Sequence, residues 1–160
     1  MIMGKHGCAD QRERIRSLFL DKSESYTLPE VANLTGMPAR TLRREVERGF
    51  RDAVKVRGAW RFAWRQAVYV ALERWTWMEI HDALDCDAAA VLPPLLALRS
   101  VTVRLPEYMV RALEKVAEEN RTTLEGALHG ELIDFAGTRS SEMEAAIPGF
   151  RRAYLFPDVG

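Results

Sequence analysis

Two adjacent prolines, Pro93 and Pro94, set the strongest limit on how this chain can fold. Proline fixes φ and has no backbone N–H, so neither residue can continue the interior of a helix. We therefore predict a linker over residues 85–99 that separates two domains. The resulting division is residues 1–84 (first domain), 85–99 (linker), 100–137 (second domain) and 138–160 (C-terminal tail).

The charges divide along the same line. The 160 residues contain 23 Lys and Arg and 23 Asp and Glu, so the formal net charge is zero. Residues 1–80 hold 15 basic and 10 acidic residues, whereas residues 81–160 hold 8 and 13. A neutral total made of a +5 half and a −5 half does not exclude nucleic acid. It indicates that the first half faces a polyanion.

Several protein classes are disfavoured by composition. The hydrophobic fraction of 48% is normal for a packed globular protein, and no run of eighteen apolar residues predicts a membrane span. The first residues lack the hydrophobic segment of a secretory signal, and Cys8 and Cys86 are too few for a disulfide framework. We expect a cytoplasmic protein.

Two short helices are predicted in the first domain. Thr27-x-x-Glu30 is a capping box at the start of one, and Gly36 ends it as a left-handed cap. The other begins at Pro38 or Ala39 and runs to about Arg48.

The second of these helices is amphipathic. Its apolar side carries Leu42 and Val46, and its opposite side carries Arg40, Arg43, Arg44 and Glu47. Three guanidinium groups on one stripe suit the major groove of DNA. Because Glu45 and Glu47 are also present, a solvated charged surface is the alternative.

A β-hairpin is predicted directly after these helices. Residues 54–62 alternate apolar and polar side chains around Arg57-Gly58, which is typical of a tight turn. Lys55, Arg57 and Arg61 make this hairpin basic.

Two more helices complete the predicted first domain. The first covers residues 11–20, with Ile15, Leu18 and Phe19 inward, and the second is a long aromatic helix over residues 62–84. The four tryptophans lie between residues 60 and 77. We expect them in a core or an interface, because duplex DNA keeps its bases stacked.

Residues 24–80 resemble the winged helix–turn–helix of MerR/excisionase-like transcription regulators. The resemblance is carried by residues 26–37, 40–44, 47–49 and 60–62. It implies contacts with DNA from these residues: Tyr26, Arg40, Thr41, Arg43, Arg44, Lys55, Arg57 and Arg61. Pro38 departs from the pattern, since it stands where a Ser or Thr cap worth about 1 kcal/mol is usual.

The second domain begins with a predicted strand. Residues 100–106 alternate strictly, and Pro106 opens a helix that contains Val110, Leu113 and Val116. Thr122-x-x-Glu125 is a predicted capping box, and the next helix has its apolar face at Leu124, Leu128, Leu132 and Phe135. One strand and two helices cannot close a core alone. We therefore expect a homodimer in which the strand pairs with its copy.

This domain resembles the ribbon–helix–helix of CopG/Arc/MetJ-type repressors and antitoxins, through residues 101–107, 113–120 and 122–125. The resemblance implies that Ser100, Thr102 and Arg104 face the major groove and that Thr122 and Thr123 hold a phosphate. The acidity of this half favours the alternative of a dimerisation module that does not touch DNA. Gly126 and Gly130 indicate either close approach of a second segment or tolerance of weak helix formers.

The tail carries aromatic and basic residues that are typical of binding sites, namely Phe150, Arg151, Arg152, Tyr154 and Phe156. It either wraps a partner protein or folds onto its own dimer.

We predict no catalytic, metal or cofactor site. No zinc signature is matched by the candidate metal ligands, which are His6 and Cys8, the group of His81, Asp82, Asp85, Cys86 and Asp87, and His129. The sequence also has no phosphate-binding loop.

Together these patterns predict a mainly α protein with short β elements, in which a winged helix–turn–helix is followed by a dimeric ribbon–helix–helix. The predicted function is a repressor of a palindromic operator on double-stranded DNA. Analogy with the two families adds the role of an antitoxin that binds a cognate toxin and regulates its own operon. The alternative is a scaffold protein that binds a protein partner without reading DNA.

Overall fold

A computed structural model describes residues 5–159, with side chains from Asp10 onward. Over these residues the chain is mainly helical and has one small antiparallel sheet of three strands, which confirms the predicted fold class at this level. It divides into two compact units. The first runs to Pro93 and also contains the residues from Phe156 onward, and the second is Pro94–Leu155.

The first unit contains six α-helices and the sheet among its described residues. In chain order they are α1 (Lys5–Leu20), β1 (Tyr26–Thr27), α2 (Leu28–Thr35), α3 (Ala39–Glu47), β2 (Val54–Val56), β3 (Ala59–Phe62), α4 (Trp64–Leu72), α5 (Trp77–Leu84) and α6 (Ala88–Val91). The strand order is β1-β3-β2, with Tyr26 opposite Phe62 and Lys55 opposite Trp60.

Helix α2 lies at the centre of this unit. The predicted caps are confirmed, because Thr27 and Glu30 form a capping box and Gly36 closes the helix at φ 71°. The backbone N–H of Thr27 donates to Glu30, which lowers the pKa of that carboxyl. The cap therefore stabilises α2 at neutral pH and weakens as the pH falls through the lowered pKa. Because α2 packs against α1, α3, α4 and β3, it fixes the position of α3 and of the hairpin β2–β3.

The core of the first unit is apolar. Helices α1 to α5 and strand β3 contribute its large buried side chains, and α6 contributes none of them. Its most deeply buried large side chains are Ile15, Leu18, Phe19, Val31, Leu42, Phe62, Val68, Val70, Ile80 and Leu84. The inward face predicted for α1 is thus confirmed.

The aromatic segment forms two helices where we predicted one over residues 62–84. Trp75 is buried between α4 and α5, and Thr76 then begins α5 by accepting the N–H of Glu79. The Glu79 carboxylate in turn accepts the backbone N–H of Thr76. This second capping box competes with continuation of α4, which is the physical reason for the break.

The second unit contains helices α7 (Glu107–Glu119), α8 (Leu124–Thr138), α9 (Ser140–Ala146) and α10 (Phe150–Tyr154). Helices α7 and α8 pack against each other. The strand predicted over residues 100–106 is absent from the described chain, where residues 98–106 form neither strand nor helix. A strand requires a hydrogen-bonded neighbour, and no segment of the described chain supplies one.

The second unit buries little of its apolar surface. Ala117 and Ala127, at the contact of α7 with α8, are its buried apolar residues. The large side chains that we predicted to face inward are exposed or half-buried, and Phe135 keeps 58% of its surface exposed. Val101, Val103 and Leu105 are exposed as well.

The N-terminus of α8 differs by one residue from the prediction. Thr123, not Thr122, is the cap, and its Oγ1 accepts the N–H of Gly126 at 3.0 Å. The predicted box of Thr122 and Glu125 is therefore wrong. A Cβ at residue 126 would lie 2.2 Å from Oγ1 of Thr122, so the capping turn itself accounts for this glycine. A Cβ on Gly130 would meet open space.

The chain returns to the first unit at its C-terminal end. The Phe156 ring packs among three aromatic rings, with centroids 6.5 Å from Phe19, 5.9 Å from Trp64 and 6.0 Å from Trp77. Pro157 is buried, and the hydroxyl of Tyr69 donates to the Asp158 carboxylate. The last residues thus complete the core of the first unit.

None of the helices within the described residues combines the length and apolar character needed to cross a membrane.

The placement of the α8 cap predicts different effects of two neighbouring substitutions. Thr123→Ala is expected to lower the free energy of unfolding by about 1 kcal/mol, because the Gly126 N–H loses its acceptor. Thr122→Ala is expected to change it by less than about 0.5 kcal/mol. Denaturant titration followed by circular dichroism measures both, and a larger loss for Thr122→Ala would contradict this assignment of the cap.

Candidate nucleic-acid interface

Helix α3 presents the predicted basic stripe to solvent. Leu42 and Val46 are buried against the unit, whereas Arg40, Arg43 and Arg44 are exposed. None of these three guanidinium groups forms an ion pair within the part of the chain that the structure describes. They are therefore free to bind an external anion.

The acidic residues of α3 do not cancel this charge. The Glu45 carboxylate accepts a hydrogen bond from Nε of Arg51 at 2.5 Å. Glu47 is the exposed carboxylate that remains without an ion pair among the described residues. The outer side of α3 accordingly carries more positive than negative charge.

Arg51 connects α3 to α4. Its two terminal nitrogens donate to both oxygens of Glu73, at 3.1 Å and 2.5 Å, while its Nε holds Glu45. Only 12% of its side chain is exposed. Burial by itself would lower the pKa of Arg51, but the hydrogen bonds to Glu73 and Glu45 outweigh it and raise the pKa above its usual value. Arg51 thus stays positively charged and links the C-terminal end of α3 to the end of α4.

Sequence reasoning gave no role to Arg51. Glu45 and Arg51 are six residues apart and Glu73 is another 22 residues along, so no helical or strand spacing relates them. Only the folding of the loop after α3 onto α4 brings the three together.

The hairpin places a second set of cations beside α2. Its two-residue turn has φ 51° at Arg57 and 82° at Gly58, with Val56 opposite Ala59, which confirms the predicted glycine turn. A non-glycine residue at positive φ costs about 1 kcal/mol, and here it projects a guanidinium at the hairpin tip. Lys55 lies 5.4 Å from the centre of the Trp60 ring, and Arg61 is half-buried on β3.

Tyr26 occupies a different environment from the other predicted contacts. Its ring is buried, and its hydroxyl accepts the backbone N–H of Ser23 at 2.8 Å. The hydroxyl helps to close the turn between α1 and β1. Tyr26 therefore belongs to the scaffold of the first unit.

The start of α3 also follows the sequence prediction. Pro38 stands at the cap position and provides no side-chain hydrogen bond. The first backbone N–H groups of α3 consequently have no side-chain cap.

The residues predicted for the second unit are separate from this basic surface. Thr102 and Arg104 are exposed on the segment that lacks a strand, and Thr123 uses its hydroxyl to cap α8. Lys115 pairs with Glu118 at 3.6 Å and Glu119 at 3.7 Å. Among the described residues, Thr102 and Arg104 do not belong to a helical stripe of three unpaired guanidinium groups like that of α3.

The predicted tail residues fall into two groups. Phe150 stacks on Tyr154 at 5.5 Å within the second unit, and Arg151 lies 3.5 Å from Glu144. Arg152 is exposed, whereas Phe156 is half-buried among aromatic rings of the first unit. The predicted tail residues are therefore divided between the two units.

No group of three or more His, Cys, Asp and Glu side chains is placed to hold a metal ion within the described residues. The side chains of His6 and Cys8 lie outside the described set.

Comparison of the chain with protein-family models, with curated proteins and with solved structures yields no match.

The bridging role of Arg51 predicts a loss of stability when the guanidinium is removed. Arg51→Met is expected to lower the free energy of unfolding by about 1–3 kcal/mol, because Glu45 and Glu73 lose their shared hydrogen-bond donor. Glu47→Gln, on the same helix but without an ion pair, should change it by less than about 0.5 kcal/mol. Urea titration compares the two, and equal effects would contradict the bridge.

Proposed function

We propose that this protein is a DNA-binding transcriptional repressor that uses α3 and the hairpin β2–β3 as a winged helix–turn–helix. The observation that carries the proposal is the set of three exposed guanidinium groups on α3, which lie opposite its buried residues and form no ion pair with any described residue. The pairing of Glu45 with Arg51 supports it, since Glu47 is then the carboxylate of α3 that forms no ion pair with any described residue.

The chemistry of this surface matches the major groove. An α-helix fits the groove, where Arg donates two hydrogen bonds to the O6 and N7 atoms of guanine or binds phosphate. In this proposal Arg40, Arg43 and Arg44 act from the helix, with Thr41 beside them. Lys55, Arg57 and Arg61 act from the hairpin. In this proposal Tyr26 supports the scaffold of the first unit and does not contact DNA.

The second unit acts in this proposal as a dimerisation module of the ribbon–helix–helix type. Its exposed apolar side chains support the assignment, because a single chain leaves Val101, Val103 and Phe135 in water. In the dimer, the alternating segment over residues 100–105 pairs with its copy and the α7–α8 helices interlock. Two DNA-binding units related by a two-fold axis then bind a palindromic operator.

We assign dimerisation, and not DNA contact, to Thr102 and Arg104. The second unit is acidic, and its Lys115 is already paired with Glu118 and Glu119. The antitoxin role and the toxin partner stay predictions from the family resemblance.

The proposed DNA contacts predict a specific response to salt. With a duplex taken from the region upstream of its own gene, the dissociation constant is measured by fluorescence anisotropy at several salt concentrations. Arg43→Ala and Arg44→Ala are each expected to weaken binding about 5- to 150-fold if they contact a base, or to reduce the salt slope by about 1 if they contact phosphate.

Two variants separate charge from structure in this experiment. Arg57→Asn retains a residue that tolerates positive φ, so it should weaken DNA binding while leaving thermal stability unchanged or higher. Arg12→Ala removes an exposed cation of α1 and should leave DNA binding unchanged. DNA affinity indifferent to Arg43, Arg44 and Arg57 would favour the scaffold alternative.

The proposed dimer predicts a change of molecular mass on substitution of α8. Phe135→Glu is expected to convert a dimer into a monomer at micromolar concentration, because a carboxylate would enter an apolar interface. Since Phe135 is exposed in the single chain, its helix should persist. Sedimentation equilibrium measures the mass, with Glu131→Gln on the same helix as the control. A wild-type monomer would contradict the dimer.

A further inference from the structure

A cleft of about 580 Å³ opens in the first unit, where the loop after α3 faces α4. This volume lies in the range of small-molecule sites, which is about 300–1,000 Å³. Its wall includes Phe50, Asp52, Arg65, Tyr69 and Asp158. The cleft is separate from the exposed guanidinium groups of α3.

Phe50 is an aromatic residue of this wall, and its side chain is mostly exposed to solvent. The left-handed Gly49, at φ 75°, ends α3, and the N–H of Phe50 then donates to the carbonyl oxygen of Glu45 at 2.9 Å. The backbone is thus fixed, yet 75% of the Phe50 side chain is exposed. The Tyr69 ring, also exposed, provides a second aromatic surface in the wall. Aromatic faces attract apolar groups and cations.

The charges of the cleft leave one carboxylate without a counter-ion. Arg51 is fully engaged by Glu45 and Glu73. Asp158 accepts a hydrogen bond from Tyr69 and lies 3.9 Å from the nearest guanidinium nitrogen of Arg65. Asp52 is exposed and forms no ion pair with any described residue. The wall therefore holds three carboxylates against two guanidinium groups.

We propose that this cleft binds a small organic cation with an apolar body. Asp52 supplies the negative charge and the Phe50 and Tyr69 rings contact the apolar part. Both guanidinium groups of the wall already face a carboxylate, so an anionic ligand would have to displace Glu73 or Asp158. The proposal concerns the protein alone and does not depend on DNA binding.

Isothermal titration calorimetry with tetraphenylphosphonium tests the proposal in the absence of DNA. Tetraphenylborate, which has the same shape and the opposite charge, is the matched ligand control. We expect tetraphenylphosphonium to bind and tetraphenylborate not to bind. Phe50→Ala and Asp52→Asn, both at exposed positions, should each weaken the binding at least about tenfold.

Asp21→Asn removes an exposed carboxylate outside the cleft and should leave the affinity unchanged. Unchanged circular dichroism melting curves would show that the three variants fold. Equal binding of both ions would indicate adsorption to apolar surface and would overturn the proposal. The absence of binding at millimolar ligand, a preference for tetraphenylborate, or an affinity unaffected by Phe50→Ala and Asp52→Asn would also overturn it.

Discussion

Burial of apolar side chains is the constraint on which this structure depends, and the two units meet it differently. The first unit closes a core around α2 and even recruits Phe156 from the C-terminal end into a cluster of four aromatic rings. The second unit has two packed helices, α7 and α8, and buries little more than Ala117 and Ala127 between them. Its exposed Val103 and Phe135 would be stabilised by burial against another apolar surface, which is the physical basis of the dimer that we propose.

Electrostatics determine which surface of the first unit can bind an anion. Helix α3 carries acidic as well as basic residues, so its sequence alone is compatible both with a DNA-binding surface and with a solvated charged surface. Arg51 changes this by binding Glu45 and Glu73 from a nearly buried position. Because the acidic Glu45 is already paired, Arg40, Arg43 and Arg44 keep their charge available. The same arginine forms part of the cleft wall, so the loop after α3 serves both surfaces.

Local hydrogen bonding made several elements predictable. The Thr27 capping box, the Gly36 cap and the Arg57-Gly58 turn each depend on residues that are adjacent or three apart, and all three are present. Where two local signals compete, the pattern was insufficient. Thr122 and Thr123 both precede an apolar run, and the turn at Arg121, with φ 52°, makes Thr123 the cap. The aromatic run from residue 62 likewise concealed the capping box at Thr76.

The sequence by itself determined the capping box at Thr27, the Gly36 cap, the Arg57-Gly58 turn and the basic stripe of α3. These follow from backbone stereochemistry, helical periodicity and charge, all of which act over a few residues. Tertiary structure alone decided the role of Arg51, the burial of Tyr26 and the return of Phe156 to the first unit. Arg51 and Phe156 contact residues that no helical or strand spacing relates to them, and the Tyr26 hydroxyl accepts the backbone N–H of Ser23 in a turn that is neither helix nor strand. No spacing rule identifies a neighbour that only folding brings near.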